Sequence, residues 1–123
     1  MNVWQTDTAR ELAAPQEVEL ATRRRDGSLR TPRTIWIVAV GNQVFIRSTN
    51  GRGAAWFTAA VSTGSGQLTA GATTVDIGFI ETSEADLPAV DRAYREKYGA
   101  YASIVDHLVE PGPRAATLEV VPG

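Results

Sequence analysis

Two clusters of residues have the types and spacing to hold an anion. The first is Arg30-Thr31-Pro32-Arg33-Thr34-Ile35-Trp36, and the second is Arg47-Ser48-Thr49-Asn50-Gly51-Arg52-Gly53-Ala54-Ala55-Trp56-Phe57. Guanidinium forks, hydroxyls and the free amides at the start of a helix are the groups that hold a phosphate, because their geometry and the helix dipole both favour negative charge. Trp36 and Trp56 add flat apolar area of the kind that covers an aromatic ring system. The same residues equally suit a plainer arrangement, in which Arg30 and Arg33 are solvated strand residues and both tryptophans are core.

The charge distribution favours a small anionic ligand over a polyanion. Between Arg23 and Arg52 seven arginines stand against Asp26 alone, while the segment from Asp76 to Glu110 is strongly acidic and the whole chain carries −2. A nucleic-acid-binding domain is basic as a whole, so no nucleic-acid partner is expected. The chain has no cysteine and one histidine, His107, which excludes disulfides and thiolate chemistry and argues against a metal site. With 43% hydrophobic and 21% charged residues over 123 positions, the composition is that of one globular domain spanning residues 1–123. No apolar run is long enough to cross a membrane, and the start MNVWQTDTAREL lacks a basic then apolar leader, so a cytoplasmic location is expected.

The elements that must position these clusters follow from periodicity. Thr8-Ala9-Arg10-Glu11 reads as a capping box opening a short helix that Pro15 ends. Residues 17–24 alternate as a strand, and Asp26-Gly27 turns the chain back. Residues 29–40 carry Ile35-Trp36-Ile37-Val38-Ala39-Val40, apolar on both faces, which predicts one central strand buried on each side, with Pro32 before its ladder. Gly41-Asn42 turns into a strand over 43–48, with Val44 and Ile46 on one face and Phe45 and Arg47 on the other. Residues 54–61 are too rich in alanine for a strand and predict a short helix, ended by Gly64-Ser65-Gly66. Strands over 67–70 and 73–81 follow, joined by Gly71-Ala72.

From Asp86 to Leu108, Val90, Tyr94, Tyr98, Tyr101, Val105 and Leu108 recur at the spacing of one helix face, with Gly99 placed to divide it. Pro111-Gly112-Pro113 closes that segment, and a last strand runs over 114–121. The fold class is therefore mainly β with helices (α+β). Its expected form is a six-stranded antiparallel split barrel, with a short helix after the third strand and a C-terminal helical segment before the last.

The order of a basic residue, Pro-Arg-Thr, an apolar strand, a Gly turn, a strand, Ser-x-x-Gly and Ala-Trp-aromatic resembles the split-barrel flavin-binding superfamily. Within it, the deazaflavin-dependent nitroreductase branch is closer than the pyridoxamine-phosphate oxidase branch. The resemblance covers roughly residues 17–81. It implies that Arg30, Arg33, Thr34, Ile35, Ser48, Asn50, Gly51, Ala55 and Trp56 bind the cofactor, to which the residue chemistry adds Trp36 and Arg52. The helix bearing Tyr94, Tyr98 and Tyr101 resembles a branch known only as a domain of unknown function. That branch implies the fold and no activity, whereas the resemblance to the flavin-binding superfamily implies a cofactor, coenzyme F420 or FMN, that exchanges a hydride with a small-molecule substrate in a cleft built by a homodimer.

Four other side chains could move protons. Tyr94, Tyr98 and Tyr101 lie at helical spacing, which more often marks core or dimer contact, and His107 near the same helix end more often serves the helix dipole. Two further readings fit the sequence: a module that carries a flavin, haem or lipophilic ligand without turnover, and a cofactor-free barrel of other activity. Trp4, ahead of the first helix, has no tie to the phosphate loop.

Overall fold

The computed structural model describes residues 3–123. Seven strands form one antiparallel sheet: β1 (Val18–Thr22), β2 (Arg33–Ile35), β3 (Val38–Val40), β4 (Gln43–Arg47), β5 (Ser65–Ala70), β6 (Thr73–Glu81) and β7 (Thr117–Pro122), in the order β2-β1-β5-β6-β7-β4-β3. Gly27, at φ 89°, makes the turn after β1, and Asp26 Oδ1 accepts hydrogen bonds from the Ser28 amide and hydroxyl across it. An L side chain rarely adopts that φ, so the Asp-Gly pair specifies the reversal.

The run Ile35–Val40 is not one central strand. It breaks at Trp36-Ile37, and its two halves pair at opposite ends of the sheet, β2 with β1 and β3 with β4. This is why there are seven strands and not six. The break survives because side chains replace the missing ladder. The Ile37 amide donates to Tyr98 Oη at 3.2 Å, and the Ile37 carbonyl accepts from Lys97 Nζ at 2.7 Å. Buried backbone groups need such partners, so Ile37, fully buried, can leave the sheet. The break also closes the architecture. Three peptide steps from Ile35 to Val38 reach at most about 11 Å, so the two edge strands lie near one another and the sheet is curled into a split barrel.

The helices are α1 (Thr6–Leu12), α2 (Ala55–Thr63), α3 (Leu87–Tyr98), α4 (Ala102–Leu108) and α5 (Pro111–Arg114). The expected capping box does not form. α1 begins at Thr6, Gln5 caps it without a side-chain bond, and Glu11 instead accepts from Thr73 Oγ1 at 2.6 Å. Gly99 opens a single 3-10 turn that divides α3 from α4, and Pro111-Gly112-Pro113 winds into α5.

Two apolar clusters lie on opposite faces of β4. Val44 and Ile46 join Leu12, Leu20, Phe57, Leu68 and Leu118 inside the barrel, whereas Phe45 packs with Val90, Tyr94, Tyr98, Val105 and Leu108 beneath α3 and α4. The predicted alternation of β4 is the reason one strand serves both. Trp4 is pinned by a hydrogen bond from its Nε1 to the Val120 carbonyl at 2.8 Å. Among the described residues no helix is long and apolar enough to cross a membrane.

Candidate functional site

The edge strand β2, the start of α2 and the end of α4 enclose a cavity of about 540 Å³. Arg33, Thr34, Ile35 and Trp36 form one wall, Thr49, Asn50, Ala54, Ala55 and Trp56 another, and Ile104 and Leu108 close one end. Its size lies within the range of about 300–1,000 Å³ usual for small-molecule sites. Seven of the residues predicted to bind a cofactor, Arg33, Thr34, Ile35, Trp36, Asn50, Ala55 and Trp56, are brought to this one space. The strand break makes this possible, because it frees Trp36 from a ladder and leaves β2 at the sheet edge.

A smaller cavity of about 250 Å³ adjoins it and shares Arg33, Ala55 and Trp56. Leu20, Thr22, Arg24, Arg30 and Thr31 line the remainder. Three guanidiniums converge here. Arg24 donates to the Leu29 carbonyl at 2.9 Å, whereas Arg30 and Arg33 form no ion pair among the described residues. Among the described residues no acidic side chain lines this space. At the shared wall, α2 starts from Ala54 with no capping side chain, so its first amides are available to an anion.

Other predicted residues lie elsewhere. The Ser48 hydroxyl is buried without a hydrogen-bond partner, outside both cavity walls. Gly51, at φ 75°, faces the Gly112 carbonyl beneath α5. Arg52 is committed to Glu81 through both terminal nitrogens and to the Ala115 carbonyl at 2.9 Å. That pairing holds the Glu81 carboxyl below its usual range. The loop therefore delivers Thr49 and Asn50 to the large cavity, but not Ser48, Gly51 or Arg52. Thr34 lines the cavity while its hydroxyl donates to Glu19 at 2.8 Å.

Tyr94 and Tyr98 are core residues, 0% and 1% exposed. Burial raises both phenols, Tyr98 to about 12, so they stay neutral and away from the cavity. Tyr101 is exposed and tilts against Trp36 at 5.6 Å. His107 places Nε2 2.6 Å from the Thr49 carbonyl and Nδ1 3.1 Å from Glu110. Both acceptors favour the imidazolium, and the Thr49 carbonyl is the larger cause of its raised pKa. It thus ties α4 to the loop that walls the cavity.

Sequence reasoning placed Arg47 at the head of the second anion-holding cluster without counting it among the cofactor residues, and gave no site role to Glu17, Ile104 or Leu108; all four line the large cavity. A signal existed for Arg47. Its alternation with Phe45 put a guanidinium on a core-facing position, where a charge needs partners. Those partners are Thr117 Oγ1 at 2.8 Å from Nε, and Asp91 at 2.7 Å and the Leu108 carbonyl at 3.0 Å from Nη1.

A model of the family described as "Uncharacterized protein conserved in bacteria (DUF2255)" matches residues 8–120. No curated protein matches the sequence. Solved structures share the fold. A conserved hypothetical protein from Mycobacterium tuberculosis superposes with a TM-score of 0.60 at 12% identity, over 95% of this chain and 78% of that one. An F420-H2-dependent reductase gives 0.64 at 14%, over 86% and 93%. A putative pyridoxamine 5'-phosphate oxidase from Listeria innocua gives 0.57 at 10%, over 95% and 90%. These structures share the split-barrel fold with this chain.

Proposed function

We propose that this chain, which belongs to the DUF2255 family, binds a phosphate-bearing flavin-type cofactor, F420 or FMN, and serves as an oxidoreductase of a small organic substrate. One observation carries the reading: a cleft with tryptophans in its walls runs directly into a pocket of three arginines, through the shared residues Arg33, Ala55 and Trp56. A ligand with a planar apolar part and an anionic tail matches that sequence of surfaces. The donors fit it, since Arg30 and Arg33 lack ion-pair partners among the described residues and α2 opens without a cap.

In this reading Arg30, Arg33 and the first amides of α2 hold the phosphate, with Arg24 supplying further positive charge. Trp36 and Trp56, with Ile35, exclude water and orient the rings. The bound cofactor supplies hydride chemistry, and the protein supplies binding, orientation and shielding. His107 keeps the Thr49–Asn50 wall in place through α4. The reading takes residues 1–123 as one cytoplasmic unit that acts as a homodimer and engages neither nucleic acid nor membrane.

A module that carries its ligand without turnover also draws support from one feature. Among the described residues Glu17 is the only carboxylate on the large cavity, and Tyr94 and Tyr98 are sealed in the core. The test is the visible spectrum of protein purified from its native host, followed by anaerobic reduction and addition of candidate acceptors. A flavin or deazaflavin spectrum that bleaches and recovers supports the oxidoreductase. A spectrum inert to acceptors supports the carrier, and a colourless protein that ignores added FMN and F420 rejects both.

A further inference from the structure

One wall of the large cavity continues into a row of oxidisable rings. Trp36, in that wall, lies flat on Tyr98 with ring centroids 3.9 Å apart, and it meets Tyr101 at 5.6 Å with a tilt of 49°. Tyr94 stands 6.0 Å beyond Tyr98. The row is confined to this wall. Among the described residues Trp56 pairs with Phe57, a ring far harder to oxidise, and Trp4 pairs with no ring. Trp36 is thus the tryptophan through which an electron can pass between the cleft and a tyrosine.

Proton chemistry decides which tyrosine. A neutral tyrosine gives up an electron readily only when its phenolic proton leaves at the same time. Tyr94 and Tyr98 are buried. Tyr94 Oη has no hydrogen-bond partner among the described residues, and Tyr98 Oη donates to the Gln16 carbonyl at 2.6 Å, an acceptor too weakly basic to take the proton. The Lys97 ammonium, 5.0 Å from the centre of the Tyr98 ring, opposes a second positive charge there. A hole on either ring would be an unpartnered cation in the core, which is unfavourable. Tyr101 is exposed, and its Oη accepts from Gln16 Nε2 at 3.2 Å, which leaves its own proton to water. Gln16 therefore orients both rings, Tyr98 through its carbonyl and Tyr101 through its side chain.

We propose that Trp36 and Tyr101 form a one-electron path from the large cavity to the surface, along which a one-electron oxidant in the cleft is discharged. The oxidant belongs to the class of photoexcited isoalloxazines and organic radicals, so its place in the cleft rests on the reading of that space as a ring-binding site. The path itself rests on the rings alone. The oxidant takes one electron from the Trp36 indole. Tyr101 gives one electron to the indole and its phenolic proton to water, and any proton the indole nitrogen has released returns from water. The sum is one electron from Tyr101 to the oxidant and one proton to solvent. Trp36 is restored, and the tyrosyl is left where reductants in solution, such as thiols, reach it. Tyr98 is a positioning residue that holds the indole plane by stacking.

The test makes the hole without any cofactor. Azide radicals generated by pulse radiolysis oxidise the tryptophans of the whole protein at neutral pH, and the tryptophanyl and tyrosyl absorptions are followed in time. In wild type the tyrosyl signal should grow as the tryptophanyl signal decays, at a rate independent of protein concentration. Trp36→Phe should lose most of that growth, and Trp56→Phe and Trp4→Phe should keep it. Because Trp36→Phe alters the strand break and can misfold, Tyr101→Phe, a conservative change at an exposed ring, provides the second arm: it should lose most of the growth and lengthen the life of the tryptophanyl. Tyr98→Phe retains the stacked ring and should keep the growth. Growth unchanged in Tyr101→Phe, or lost in Tyr98→Phe while kept in Tyr101→Phe, would overturn the proposal. Laser-flash excitation of added FMN separates the two claims. A tyrosyl formed after the flash in wild type and missing in Tyr101→Phe supports the path from the cleft, whereas FMN that binds and yields no tyrosyl overturns this inference alone. Transfer from Trp36 to Tyr101 after azide oxidation, in a protein that binds neither FMN nor F420, bears out the path and removes only the cofactor.

Discussion

Trp36 lies flat on Tyr98, with ring centroids 3.9 Å apart and planes within 2° of parallel. The stack joins the strand break to α3, so the helix that carries Tyr98 holds open the cleft that Trp36 walls. Tyr98 Oη also donates to the Gln16 carbonyl at 2.6 Å while accepting from the Ile37 amide.

Tyr98→Phe keeps the ring and removes the hydroxyl, leaving the buried Ile37 amide unpaired and taking the donor from the Gln16 carbonyl. Such a loss costs about 1–3 kcal/mol. Urea unfolding should show the midpoint falling accordingly with little change in slope. A change below about 0.5 kcal/mol, within the range of an ordinary surface substitution, would mean that the break is held by Lys97 and packing alone.

Stability should rise from pH 8 toward pH 10. Burial lowers Lys97 from 10.5 to about 8, although its ammonium donates to the Ala13, Pro15 and Ile37 carbonyls. Between those values the unfolded chain binds more protons than the folded one, so raising the pH stabilises the fold. Tyr98 acts in the opposite sense. Its folded pKa is raised from 10.0 to about 12, so above pH 10 the unfolded chain releases a proton that the fold retains, and stability declines. Thermal unfolding across pH 7–11 should therefore pass through a maximum, and Lys97→Met should remove the rising limb. A wild-type melting temperature that falls steadily from pH 8 would show that the three carbonyls outweigh burial.

Arg33→Ala should weaken FMN or F420 binding by about 1.5–3 kcal/mol, the scale of a charge-assisted hydrogen bond. Thermal stability should change little, since Arg33 is exposed and forms no ion pair among the described residues. Unfolding of the variant, with normal binding by the surviving protein, would make Arg33 a structural residue.

Much of the frame is legible from the chain. Strict alternation identifies β1, β4, β6 and β7, the Gly27 and Gly71 turns fix the hairpins around them, and Gly64 ends α2. The two-faced apolar run at Ile35–Val40 misleads because burial on both sides looks the same in a straight strand and in a chain crossing between sheet edges. What separates them is the pair Lys97 and Tyr98, some sixty positions away. The loop residues mislead for a similar reason. Arg52 has the chemistry of a phosphate ligand, but its partner Glu81 comes from β6, 29 positions distant. Arg47 was legible in principle, as a charge at a core-facing register.

The assembly is expected to be a C2 homodimer. Tyr101, which tilts against Trp36, and Ile104, which lines the large cavity, are each 43% exposed, and one small barrel covers a three-ring ligand poorly. Sedimentation equilibrium should give twice the chain mass at micromolar concentration. A monomer there would reject the shared cleft.

The central claim is that the space beside Trp56 holds the rings of a flavin-type cofactor, and tryptophan emission tests it most directly. Trp56 begins α2 at the wall shared by both cavities, whereas Trp4 is hydrogen-bonded to Val120. FMN and F420 should each be titrated into wild type, Trp56→Phe, Trp36→Phe and Trp4→Phe. The account predicts saturable quenching in wild type by at least one of the two, much of it lost in Trp56→Phe, a smaller part in Trp36→Phe and almost none in Trp4→Phe. Full quench and unchanged affinity in Trp56→Phe would contradict the account and leave the cleft to a ligand of another kind.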